Sequence, residues 1–164
     1  MQNLKGLQPC LWFNDQAEEA AKLYCSIFPN SKIGRFSYYT TEGQDIHGHK
    51  EGDVMAVEFE LDGRPFMGLN GGPMFKFTEA VSFSIDARDQ EEVDYYTSKL
   101  IAGGGEQGPC GWLKDKFGLS WQVVPVVLQE MLHDADKKKA NRVMNVMLQM
   151  HKLDIAKLQE AYNG

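Results

Sequence analysis

The sequence predicts an α+β fold: two βαβββ modules with curved mixed sheets, plus C-terminal helices. Three observations carry that prediction. First, the chain is written twice. "LQPCLWFNDQAEEAAKLYCSIFP" from Leu7 and "AVSFSIDARDQEEVDYYTSKLIA" from Ala80 each run from a short apolar stretch through an Asp-containing break into a Glu-rich helical segment with a Tyr. An offset of 72 residues carries Leu11 onto Phe83, Phe13 onto Ile85 and Tyr24 onto Tyr96. Second, each copy is followed by strand-like segments divided by turn signals. Third, the periodicity turns helical after Pro125. A repeated strand–helix unit implies two similar sheets facing each other across a pseudo-twofold axis, and their meeting place is a natural pocket.

Residues 7–13 read as the first strand. Asn14 or Asp15 offers an N-cap, and Glu18 and Glu19 sit where the positive end of a helix favours carboxylates. The helix runs to about Phe28, with Ala20, Leu23, Tyr24 and Ile27 on one face, and Pro29-Asn30 stops it. A strand at 32–40 follows. The polar segment 41–52, with Gly43, Gly48 and Gly52, is a loop. From Val54 to Leu61, apolar Met55, Val57, Phe59 and Leu61 alternate with Glu58 and Glu60, the pattern of a half-buried strand. Asp62-Gly63 turns a hairpin, and Pro65 to Asn70 returns as the next strand. "NGGP" and the segment to Thr78 join the halves.

The second half repeats the order. A strand at 80–85 leads to a helix at about 89–101, which the glycines at 103–105 stop. A strand lies near 107–114, "KDKFG" turns, and 119–124 is the last strand. Helices follow at about 126–133, 136–151 and 154–162. Val143, Met144, Met147 and Met150 form an apolar stripe that packs on the sheets or on a second subunit. The organisation is paired modules over 1–125, the first 1–78 and the second 79–125, then a helical extension over 126–164.

Hydrophobic residues make up 43% of the 164, enough for a core without staples. The net charge of −6 and the lack of a basic stripe argue against nucleic acid as a partner. Lys137-Lys138-Lys139 reads as a solvated helix face. The three cysteines, Cys10, Cys25 and Cys110, have neither CxxC nor zinc-type spacing and suit reduced thiols in a cytoplasmic protein. The start has no basic, then apolar, leader pattern. No apolar run approaches the roughly 20 residues of a membrane helix. The glycine run at 103–108 matches GxGxxG, but it follows a helix and precedes a strand, the reverse of a dinucleotide-binding turn.

Three segments carry a family resemblance: "LWFNDQAEEAAKLYCSIFPNSKIG" at 11–34, "GWLKDKFGLSWQVVP" at 111–125 and the tail "RVMNVMLQMHKLDIAKLQEAYNG". They are similar to the PhnB-like branch of the vicinal oxygen chelate superfamily, which includes glyoxalase I, extradiol dioxygenases and the bleomycin resistance proteins. That branch is often labelled 3-demethylubiquinone 3-methyltransferase-like. The resemblance implies a homodimer and a pocket built from paired modules. Its methyltransferase label finds no strand–glycine loop–helix unit here that would hold S-adenosylmethionine.

In metal-using relatives each half supplies two ligands. Laid on this chain, the pattern falls at Gln8, at Gly68 or Asn70, at Ala80 with Ser82 a near alternative, and at Gln122. Catalytic divalent metals take imidazole or carboxylate donors, and none of these positions is either. The expectation is therefore no metal and no cofactor. Gln8 and Gln122 either bond across a cavity floor or offer amides to a polar ligand.

Cys10 and Trp12 share the inward parity of Gln8, Cys10 as a buried, inert thiol and Trp12 as a flat wall. Glu58 and Glu60 share one strand face. If that face is the concave one, a carboxylate there can act as general base; otherwise both are exposed. His47 and His49 belong to a solvated loop or to a lid. Trp121 packs under the helices, and Trp112 lies at the pocket rim or in the core. The leading expectation is a small-molecule-binding protein without metal ligands. Its ligand, a small organic molecule, would meet Gln8, Cys10, Trp12, Glu58, Asn70, Ser82 and Gln122. The alternatives are a metal-dependent lyase, isomerase or dioxygenase, and a non-catalytic scaffold with a vestigial pocket.

Overall fold

The computed structural model describes residues 7–164. Its strands are β1 (Cys10–Phe13), β2 (Lys32–Tyr38), β3 (Val54–Leu61), β4 (Arg64–Asn70), β5 (Ser82–Ala87), β6 (Glu106–Gln107), β7 (Trp112–Lys114) and β8 (Ser120–Pro125). Its helices are α1 (Ala17–Ile27), α2 (Gln44–His47), α3 (Gln90–Ile101), α4 (Val126–Leu132), α5 (Lys137–Met147) and α6 (Ile155–Asn163). The chain forms two compact units, one ending at Lys76 and the other spanning Phe77–Gly164. No helix among the described residues is long and apolar enough to cross a membrane.

Each unit carries a four-stranded mixed sheet of the same topology. In the first the order is β1-β4-β3-β2, with β1 parallel to β4 and the other pairs antiparallel. In the second it is β5-β8-β7-β6, with β5 parallel to β8. Both are the expected βαβββ arrangement, and together with the C-terminal helices they give the α+β fold.

In the first unit, Leu11, Phe13, Val57, Phe59 and Phe66 are buried together with Ala17, Ala20, Ala21, Tyr24 and Ile27 of α1. The alanines let the helix sit close to the sheet: a Cβ added at Gly68 would lie 3.1 Å from the Ala17 Cβ. Tyr24 meets Phe59 at 6.3 Å between ring centroids, and Phe59 stacks on Phe66 at 5.5 Å. Asp62 (φ 48°) and Gly63 (φ 73°) are both left-handed, as a tight two-residue hairpin turn requires. β1 begins at Cys10 rather than at residue 7. Pro9 has no N–H to give a ladder, although its carbonyl still accepts the Met67 N–H at 3.0 Å.

The start of α1 differs from the sequence expectation. The N-cap is Gln16, not Asn14 or Asp15, and its side chain makes no capping bond. The cap comes from β4, where Asn70 Oδ1 accepts the Ala17 N–H.

In the second unit α3 has a local cap, with the Asp89 side chain accepting the Glu92 N–H at 2.9 Å. Val93 and Leu100 of α3 are buried, as are Leu113, Trp121 and Val123 of the sheet. The strand expected near 107–114 is two short strands. Cys110 (φ 54°) and Gly111 (φ 83°) are left-handed and fold the segment into a hairpin. The C-terminal helices bury Leu128, Met131, Val143, Leu153 and Leu158, with Val124 of β8 and Met147 and Met150 packed against them. Much of the methionine stripe is thus consumed inside the tail's own core, while Met144 faces out at 39% exposure.

Candidate functional site

Each sheet has one face against its helix and one face open. Strand register assigns the residues. In the first unit Leu11, Gly68 and Val57 lie side by side toward α1, so Cys10, Met67 and Glu58 lie together on the open face, as do Trp12, Leu69 and Ala56. This places Glu58 with Cys10 and Trp12. Gln8, half-buried just before β1, joins Lys32, Glu58, Glu60 and Pro65 around a small cavity of about 70 Å³.

The parity expected of β4 is reversed. Gly68 and Asn70 face α1, not the open side. Asn70 is 5% exposed, accepts the Ala17 N–H at 2.8 Å and donates from Nδ2 to Val54 O at 2.9 Å. The residues that β4 does present beside Cys10 and Trp12 are Met67 and Leu69, which are apolar.

Charge on the first open face is paired internally. Arg35 grips Glu58 in a bidentate contact, Nε to Oε2 at 3.0 Å and Nη2 to Oε1 at 2.8 Å. That hydrogen bonding lowers the Glu58 pKa from its ordinary value. A general base working near neutrality needs the opposite shift. Lys32 and Glu60 pair at 3.1 Å. Cys10 is exposed rather than buried, and partial desolvation raises its thiol pKa, keeping it protonated at neutral pH. Trp12 is fixed by its surroundings: Nε1 donates to Gly72 O at 2.9 Å, and its ring meets Phe75 edge-on at 5.0 Å. His47 and His49 both pack on Tyr39, at 4.5 and 4.2 Å between ring centroids.

The second open face is different in kind. Ser84, Gln122 and Trp112 lie side by side across β5, β8 and β7, and Ser82, Ser120 and Lys114 form the next row. Gln122 Nε2 donates to Ser82 Oγ at 2.9 Å, so two of the residues expected from sequence do meet. Trp112, half-buried, lies on this face, and Trp121 is buried on the other.

Beside this row opens a cavity of about 390 Å³, lined by Glu79, Glu106, Gln107, Trp112, Lys114 and Ser120 among others. Ser120 is 1% exposed. Among the described residues its Oγ has no hydrogen-bond partner. Lys114 pairs with Glu79, and their hydrogen bond raises the lysine pKa and lowers that of the carboxyl. Gln107 is already committed, its Nε2 donating to Trp112 O at 2.8 Å. Sequence reasoning missed this cavity. The available signal was the alternation of β8, which puts Ser120 on the side of Gln122. Its lack of a partner depends on the fold and had no sequence signal.

Among the described residues, no three His, Cys, Asp or Glu side chains come together as a metal site. The family model of 3-demethylubiquinone-9 3-methyltransferase matches residues 5–124, ending within β8 and ahead of the helical tail. Among solved structures, the PhnB protein of Bacillus cereus is 32% identical, with a TM-score of 0.63 over 74% of this chain and 100% of that one. Protein PA1353 of Pseudomonas aeruginosa is 20% identical, with a TM-score of 0.58 over 73% of this chain and 98% of that one. A point mutant of the fosfomycin resistance protein FosX of Listeria monocytogenes, complexed with Mn(II) and 1S,2S-dihydroxypropylphosphonic acid, is 22% identical, with a TM-score of 0.50 over 73% of this chain and 91% of that one. The last two likenesses concern the fold alone. No curated protein matches the chain.

Proposed function

We propose a function from one premise: the chain belongs to the 3-demethylubiquinone-9 3-methyltransferase family, in the PhnB-like branch of the vicinal oxygen chelate superfamily. The protein is a small-molecule-binding protein of the glyoxalase and bleomycin resistance type that works without a metal. Its ligand sits on the open face of the second unit. The observation that carries this reading is the cavity of about 390 Å³ beside Ser120, a buried residue whose hydroxyl has no partner among the described residues. Small-molecule sites are clefts of about 300–1,000 Å³ with mostly apolar walls and a few placed polar groups. Ser82 and Gln122 stand in adjacent rows of the same sheet face and extend the polar lining.

The donor set supports a metal-free site. Gln8 and Gln122 are neutral amides, Gln122 is bonded to Ser82, and Asn70 is committed to Ala17 and Val54. Such donors do not fit a catalytic divalent metal. An enzymatic role for Glu58 is disfavoured by its pairing with Arg35. Methyl transfer in the family label gains no support from the glycine run at 103–108, which follows α3 and precedes β6. The protein pairs as a homodimer in the cytoplasm. Exposed Met74, Phe75 and Val81 in the segment joining the units favour the pairing, and three free cysteines favour the compartment.

Native mass spectrometry of untagged protein, compared with its denatured mass, tests the reading. An organic mass retained on a dimer without metal supports it. A tightly bound transition metal overturns it, and sedimentation as a monomer at micromolar concentration overturns the dimer.

A further inference from the structure

We propose that the cavity of the second unit takes a planar organic monocarboxylate, and that Glu79 is a tethered occupant which this ligand displaces from Lys114. The inference rests on the binding reading above and names the ligand class for the same site.

The argument begins with Ser120. A buried hydroxyl without a partner is unfavourable, and it can donate one hydrogen bond and accept others. Directly across the ladder from it is Lys114. An atom placed between a hydroxyl donor and an ammonium is best an anionic oxygen. Lys114 already holds one carboxylate, that of Glu79, which precedes β5 and has a side chain 60% exposed. Exposed ion pairs are weak. Exchanging Glu79 for a ligand carboxylate keeps one carboxylate paired with Lys114 and adds a bond to Ser120 that Glu79 does not make.

The walls give the rest of the ligand. Trp112 and Lys114 are two residues apart on β7 and so project to the same side. The half-buried indole, with Pro109, gives the cavity a flat apolar wall suited to a conjugated ring. Glu106 of β6 stands opposite Lys114, and its charge already acts on the lysine. A second negative charge on the ligand would meet that carboxylate, so a monoanion is preferred to a dianion.

Titration calorimetry on the full chain tests the proposal with 2-naphthoate, the matched neutral 2-naphthamide and naphthalene-2,3-dicarboxylate. The expected result is binding of 2-naphthoate with about tenfold preference over the other two, the scale of one charge-assisted hydrogen bond. Ser120→Ala and Lys114→Gln each weaken naphthoate by about tenfold, whereas Glu79→Gln tightens it by removing the competitor. Urea midpoints of the three variants establish that they are folded. Weaker binding by Glu79→Gln overturns its role as occupant. Equal binding of acid and amide overturns the carboxylate class while leaving a binding cavity. If none of the three probes binds and native mass spectrometry finds another organic mass, the ligand class fails and the binding function stands. If no probe binds and no mass is retained, both fail.

Discussion

Asn70 caps α1 through Ala17 from the far end of β4: its Oδ1 accepts the Ala17 N–H at 2.8 Å across 53 residues of sequence. Its Nδ2 donates to Val54 O at 2.9 Å, so one buried amide ties the helix start to two neighbouring strands. Asn70→Ala removes both bonds and leaves a helix N–H and a strand carbonyl without partners. The expected loss is about 2–3 kcal/mol, read as a lower urea midpoint. Asn70→Asp keeps the acceptor, loses the donor and falls between the two. An unchanged midpoint in Asn70→Ala would remove Asn70 from this role.

Asp115 plays a similar part in the second unit. It is 3% exposed. Its Oδ1 accepts the N–H groups of Phe117 and Leu119 at 2.9 and 3.0 Å, and its Oδ2 accepts Trp121 Nε1 at 2.9 Å. Asp115→Asn presents an N–H₂ to one of these donors. The expected cost is about 3 kcal/mol, with a change in tryptophan emission, because Trp121 is buried and is one of the three partners. Wild-type stability together with wild-type emission would refute this.

Gly71 has no room for a side chain. A Cβ there would lie 2.2 Å from the Trp12 ring. Gly71→Ala therefore drives Trp12 away from Gly72 O and Phe75. Overpacking of this kind costs about 1–3 kcal/mol, seen as a lower melting temperature and red-shifted emission. Retention of both wild-type values would mean that the Trp12 clamp is looser than its geometry implies.

Several carboxylates have lowered pKa values in the fold: Glu58 by Arg35, Glu79 by Lys114, Glu92 by Arg88, Asp94 by Lys152 and Asp134 by Tyr162. At acid pH the unfolded chain then binds more protons than the folded one, so stability rises with pH. The contribution is complete above the ordinary carboxylate values of about 4. It is lost as pH falls through the lowered ones. Urea midpoints from pH 7 to pH 3 should be flat and then decline. Because the four ion pairs among them lie at the surface, 1 M salt should flatten their part of the decline. A midpoint that rises on acidification would contradict the sign.

Local patterns made much of the fold legible. The alternation from Val54 to Leu61, the Asp62-Gly63 turn and the 72-residue repeat all correspond to observed elements. What stayed hidden was long-range or depended on a single φ angle. Asn14 and Asp15 looked like caps because they are near α1, yet the capping amide arrives from Asn70. Cys110 in the left-handed region splits one expected strand into β6 and β7. At the site, Gln122 was singled out only by the pattern of the metal-using relatives, and Ser82 only as an alternative to Ala80; their hydrogen bond comes from the fold. The parity of Asn70 was not legible, because the register of β4 against β1 is a tertiary property. Nothing local to Ser120 signals that its hydroxyl is enclosed.

The repeat has a consequence for how the two halves vary. The 72-residue offset pairs Leu11 with Phe83 and Phe13 with Ile85, apolar in both copies and on the helix side of each sheet. The same offset pairs Cys10 with Ser82 and Trp12 with Ser84 on the open sides, where the copies no longer agree. One half has closed its open side with ion pairs and a pinned indole. The other has kept hydroxyls, an amide and a recess. Across the repeat, shape and chemistry are thus carried by different residues: the helix-side positions keep a common skeleton while the opposite positions differ between the two copies.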